Sequence, residues 1–157
     1  MSALSLHASQ IVPGLWVSGM PRSDWDLVAE GVDLVISLSE HLPPQAARRF
    51  EWHTRGGAAG NGRIVYAHWP IEDGPAPDMV RAQLVAGLAS AGVAAGMTVL
   101  VHCQEGQNRS GLVAALAVRL VVGCSGQDAV ALVRQARRGA LRNTAFAAVV
   151  QALPAPG

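Results

Sequence analysis

The apolar positions along the chain change period several times. The run at 15–19, Leu-Trp-Val-Ser-Gly, follows Pro13-Gly14 and predicts a short opening strand. At 23–31 the spacing predicts a short helix, capped by Ser23 and stopped by Gly31. The β-branched run at 32–39 predicts a buried strand, and residues 43–52 a helix entered through Pro43 and Pro44. Residues 55–62 are loop by their glycines, and 63–69 alternate as a strand does. The stretch PIEDGPAPD at 70–78 holds three prolines and a glycine, which excludes regular structure. Beyond it come a long helix at 79–96 with Asp78 as its cap, a buried strand at 97–102, and an apolar helix from Asn108 to Gly123. Two further helices are expected at 126–139 and 143–154. Strands separated by helices, with an all-helical C-terminal part, give an α/β fold. The expected architecture is a central, mainly parallel sheet of four to five strands with helices on both faces. The 157 residues suit a single domain, 1–157, with a core of ordinary size.

Composition narrows the function classes. Half of the residues are hydrophobic, which disfavours global disorder. The formal net charge of +1 offers no field for nucleic acid or for an acidic membrane surface. All 12 basic residues are arginine, as a GC-rich bacterial coding bias would produce, so an arginine by itself says little. No apolar run approaches the ~18 residues of a membrane span. The first residues lack the pattern of a signal peptide, so the expected compartment is the cytoplasm. Cys103 and Cys124 make no disulfide framework, and the five histidines show no metal-ligand spacing. No metal or cofactor is expected.

The chemistry gathers in VLVHCQEGQNRSG, residues 99–111. Cys103 falls where a buried strand ends, and a helix starts near Arg109. The first N–H groups of a helix and of the turn before it lack internal partners and converge on one concavity, which makes an anion site. Gly106 permits positive φ or a close approach, and the Arg109 guanidinium matches two phosphate oxygens. A thiol in such a field loses its proton more easily. Thiolate attack on a phosphate ester would give a phosphocysteine, with Ser110 able to donate to the sulfur. The leaving oxygen needs an acid on a mobile loop, and 70–78 supplies one. Asp73 is the candidate, with Glu72 and Asp78 as competitors; Asp78 is also read as a helix cap.

HCQEGQNRSG matches His-Cys-x-x-Gly-x-x-Arg-Ser, and so resembles the signature loop of the cysteine-dependent protein tyrosine phosphatases in their dual-specificity branch. IVPGLWVSGMP, GVDLVISLSE, PIEDGPAPD and LRNTAF are similar to that branch's opening strand, second strand, general-acid loop and last helices, in the same order. The resemblance implies a compact α/β domain and metal-free hydrolysis of phosphomonoesters. By position it implies Cys103 as nucleophile, Arg109 as phosphate clamp, Ser110 as helper of the thiolate and Asp73 as acid then base. His102 would orient the loop and support a low thiol pKa. Gln104, Glu105, Gly106, Gln107, Asn108 and Arg109 would supply the N–H cradle. A shallow pocket, open to phosphotyrosine and also to phosphoserine and phosphothreonine, is implied at the family level. The expected partner is a phosphorylated protein or peptide, with phosphate-like anions bound in the loop.

Glu105 and Gln107 stand where enzymes of inositol lipids tend to carry lysine, which disfavours polyanionic substrates. Arg137, Arg138 and Arg142 either line the rim or form a solvated basic helix end. Three rival readings remain: a phosphatase of RNA 5′ ends, lipids or metabolites; a phosphate-binding module without turnover; and a rhodanese-like sulfur-transfer domain, which has no need of an acid loop.

Overall fold

The computed structural model describes residues 7–46 and 64–157. Five strands form one sheet: β1 (Ser9–Val12), β2 (Leu15–Ser18), β3 (Leu34–Ser37), β4 (Val65–His68) and β5 (Val99–His102), in the order β1-β2-β5-β3-β4. β1 and β2 are antiparallel and join through Pro13-Gly14, where Gly14 takes φ +88. Every other neighbouring pair is parallel. β1 is absent from the sequence reading. Its four residues are an edge strand beside a proline and bury only Ile11, so they carry little alternation.

Beyond β4 the described residues form the helices α1 (Met79–Ala94), α2 (Arg109–Val118), α3 (Gly126–Ala136) and α4 (Thr144–Gln151). α2 continues through a wider turn at Arg119–Gly123 that ends on Gly123 at φ +76. Each start has a local cause. Asp78 accepts from the N–H groups of Val80 and Arg81, Ser125 from Asp128 N–H and Asn143 from Phe146 N–H, the capping bonds expected of these residue types. α2 is buried from Ser110 to Val118, which explains its apolar residues on all sides. α1 turns Ala82, Ala86, Ala89 and Gly92 inward, so it lies close to the sheet. Its larger residues Val80, Leu84 and Leu88 face outward.

The main core joins the helices to one face of the sheet: Leu15, Val17, Leu34, Ile36, Val99 and Val101 meet α1–α4. The alternate residues Trp16, Val35, Tyr66 and Leu100 face the other side and pack with Trp25, Leu27, Val32 and Ile64. The helix expected at 23–31 is replaced by hydrogen-bonded turns. Asp26 caps them: its Oδ1 accepts Ala29 N–H, and its carbonyl accepts Glu30 N–H. Gly31, at φ +80, then redirects the chain into β3. The helix expected at 43–52 falls mostly, and the loop at 55–62 wholly, outside the described residues. No single described helix is long and apolar enough to cross a membrane.

The parallel register aligns Ser18, His102 and Ser37 across β2, β5 and β3, with His68 of β4 opposite Ser37. The loops leaving β4 and β5 therefore emerge at the same edge, the usual site edge of an open α/β sheet.

Candidate active site

β5 lies mid-sheet, and the loop at its end turns back over Cys103, which is 2% exposed. Gly106 takes φ +70, and a Cβ there would overlap the backbone of Ser18 and Gly19. Met20 N–H donates to Gln104 O at 3.0 Å, stitching the loop to the end of β2. Gly106 N–H points at Cys103 Sγ (3.2 Å), and Ser110 Oγ lies 3.2 Å from the same sulfur. Burial pushes the thiol pKa up. Hydrogen bonds from the Ser110 hydroxyl and from the N–H groups of Ser110, Gln107 and Gly106 outweigh it, leaving the thiol below its ordinary value.

His102 is fully buried, and burial lowers its pKa to about 4. The ring is neutral at pH 7 and brings no positive charge to the sulfur. Its Nδ1 lies 3.4 Å from Cys103 O, and its Nε2 has no hydrogen-bond partner among the described residues.

The 70–78 loop is strapped to the end of β3 by Trp69 N–H to Ser37 O (2.9 Å) and Ile71 N–H to Leu38 O (3.1 Å). Asp73 is held by two amides: Asn108 Nδ2 donates to Oδ2 and Asn143 Nδ2 to Oδ1, both at 2.9 Å. Asn143 also donates through Nδ2 to Gly74 O and through its backbone N–H to Asn108 Oδ1. One Asn–Asn pair thus joins the cysteine loop, the 70–78 loop and the start of α4. A cavity of about 190 Å³ is lined by Asp73, Cys103, Gln104, Glu105, Gln107, Asn108 and Arg109. Arg109 Nη1 donates to Ile71 O at 3.3 Å. Of the three carboxylates considered, only Asp73 borders the thiol cavity. Glu72 lines an adjoining cavity with Glu40, Pro70 and Ile71. Asp78 caps α1 and pairs with Arg81.

Sequence reasoning missed two parts. Asn143 looks like a helix cap and is one, but its amide also reaches Asp73, 70 positions away. Arg137 lies behind the cysteine loop rather than on its rim, while Arg138 and Arg142 are exposed. Among the described residues no group of three or more His, Cys, Asp and Glu side chains is placed to hold a metal.

No protein-family model and no curated protein sequence matches the chain. Solved structures do. Tk-PTP in its active form superposes with a TM-score of 0.74 at 29% identity, over 92% of this chain and 93% of that one. This pairs the shared sheet and helices with a His-Cys-x-x-Gly-x-x-Arg-Ser loop at the sheet's C-terminal edge. The chain belongs to the cysteine-based, dual-specificity-like phosphatase superfamily. Human DUSP28 shares the fold with a TM-score of 0.73 at 23% identity, covering 96% and 95% of the two chains. So does PTPMT1, solved in complex with PI(5)P, with a TM-score of 0.66 at 19% identity over 92% of each chain. As in the expected phosphatase fold, the sheet is flanked by helices.

Proposed function

We propose that the protein hydrolyses phosphomonoesters of proteins, phosphotyrosine first and phosphoserine or phosphothreonine as well, through a phosphocysteine on Cys103. The observation that carries this reading is the sulfur itself. It is nearly buried, receives hydrogen bonds from Gly106 N–H and Ser110 Oγ, and shares one cavity with Arg109 and Asp73. In the first step the Cys103 thiolate attacks phosphorus and the P–O bond to the leaving group breaks. The Asp73 carboxyl gives its proton to that oxygen. In the second step water attacks phosphorus, Asp73 takes a water proton, and the P–S bond breaks. Ser110 donates to the departing sulfur, while Arg109 and the loop N–H groups hold the non-bridging oxygens. Glu40, Glu72 and Glu105 around the two cavities support a singly phosphorylated protein side chain over an inositol lipid or RNA end, whose added charges they repel. PTPMT1 in complex with PI(5)P makes a lipid the fair competitor in a substrate panel.

The test is hydrolysis of an aryl phosphate in excess chelator by wild type and Cys103→Ser. Turnover by wild type and none by the variant is expected. Folded, reduced wild type that binds phosphate without turnover would make the loop a phosphate-binding module. Phosphotyrosine peptides turning over faster than inositol phosphates would separate the protein from the lipid reading.

A further inference from the structure

Arg137 follows the last residue of α3, and its backbone leaves the helix at φ −137, ψ 101. Its guanidinium is half-buried behind the cysteine loop. Nε donates to Gly106 O at 2.5 Å and Nη2 to Glu105 O at 3.4 Å. Nη1 reaches Ser9 Oγ of β1 at 3.0 Å and Val17 O of β2 at 3.4 Å. One side chain therefore ties two loop carbonyls to the neighbouring strands.

The identity of those carbonyls matters. Glu105 C=O and Gly106 N–H belong to one peptide group; Gly106 C=O and Gln107 N–H belong to the next. A peptide group is planar and trans, so its N–H points opposite to its carbonyl. Holding both carbonyls outward aims both N–H groups inward, where Gly106 N–H meets Cys103 Sγ. Without a donor behind the loop, these carbonyls would lack partners on a half-buried surface, and the peptides would be free to rotate.

We propose that Arg137 is a positioning residue: it holds the 105–106 and 106–107 peptide groups with their N–H groups toward Cys103, and so sets the thiolate character of the sulfur. The proposal rests on the reading of Cys103 as the reactive thiol. Electrostatics agree, since burial lowers the Arg137 pKa while the nearby Cys103 thiolate raises it. The other ionisable groups around the sulfur are His102 on β5, Glu105 in the loop, Arg109 on α2 and Asp73 in the 70–78 loop. None of these donates to the two carbonyls.

The experiment is the pH dependence of iodoacetate alkylation of Cys103, which reads the thiolate without turnover. It is run on wild type, Arg137→Gln, Arg137→Lys and, as a control, exposed Arg138→Ala. Circular dichroism checks folding. Arg137→Gln is expected to raise the apparent thiol pKa by about one unit, so that alkylation at pH 6 slows about tenfold. Arg137→Lys is expected to recover only part of the shift, because an ammonium keeps the charge but lacks the fork. Arg138→Ala is expected to match wild type. Should Arg137→Gln fail to fold, Ser9→Ala removes only the anchor on β1 and gives a smaller shift of the same sign. An unchanged alkylation profile in folded Arg137→Gln, or in Ser9→Ala where it replaces it, overturns the proposal. Phosphatase assays on the same preparations keep the two readings apart. An Arg137 shift without wild-type turnover overturns the hydrolase reading alone, and full turnover with no shift overturns the positioning role alone.

Discussion

At Cys103 burial and hydrogen bonding pull the thiol in opposite directions, and the donors prevail. Asp73 sits across the cavity with both oxygens held by amides. In the proposed mechanism an acid matters most when the leaving group is poor. Asp73→Asn is expected to slow hydrolysis of an alkyl phosphate by about 10²–10⁴-fold and of an activated aryl phosphate far less. Asn143→Ala is expected to show the same leaving-group dependence at smaller size, because the acid is then present but loosely held. Equal losses on both substrates would remove Asn143 from that role. His102 provides a pH signature of stability. Its folded pKa is about 4, against an ordinary 6.5, so as pH falls the unfolded chain takes up the proton first. The contribution is fully present above about pH 6.5 and is lost as pH falls toward 4, up to about 3 kcal/mol. Urea unfolding across that window is expected to weaken less steeply in His102→Gln than in wild type.

Among the elements, the junction of α3 and α4 frames the site from behind. Gly126 opens α3 with its N–H bonded to Leu153 O at 2.9 Å, and a Cβ there would run into the backbone carbonyl of Val150. Gly126→Ala is therefore expected to destabilise the fold by about 1–3 kcal/mol in denaturant unfolding. Activity is expected to fall with it, because the 137–143 segment between these helices carries Arg137 and Asn143. Leu141 N–H also donates to Gln107 O at 3.1 Å. Four backbone or side-chain groups of the cysteine loop thus find their partners on this one connector: Glu105 O, Gly106 O, Gln107 O and Asn108 Oδ1.

On the scale of the whole molecule, the cavity is lined by the loop after β5, the first residue of α2 and Asp73 of the loop after β4, and so exists only in the folded state. An anion bound there stabilises the fold by linkage. Inorganic phosphate at about 100 times its dissociation constant is expected to add about 2.7 kcal/mol, read as a rise in thermal midpoint. Cys103→Ser is expected to keep the effect, since the cradle is backbone and Arg109. Arg109→Ala is expected to lose most of it, and an undiminished rise in that variant would place the anion elsewhere.

Short-range order decides how much of this is visible in the chain itself. The strands β2 to β5, the helices α1–α4 and the Asp78 cap follow from period, turn residues and residues three positions apart. So does the candidate cluster His102, Cys103, Gly106, Arg109 and Ser110, which is contiguous, as well as the placing of a carboxylate-bearing loop at the end of β4. Other features needed the tertiary structure. β1 is a strand because β2 offers it an edge. Residues 23–31 form turns because Asp26 caps them from within and their apolar residues cover the sheet's second face. That Asp73, rather than Glu72 or Asp78, borders the thiol cavity is visible only in the fold, where Asn108 and the sequence-distant Asn143 donate to its carboxylate. Arg137 donates to carbonyls 31 and 32 positions earlier, and no local pattern marks such a pairing. The sequence by itself determined the elements and the cysteine loop, because those depend on neighbours along the chain. Only the tertiary structure decided which distant side chains hold that loop and Asp73 in register, because those bonds form between segments that only folding brings together.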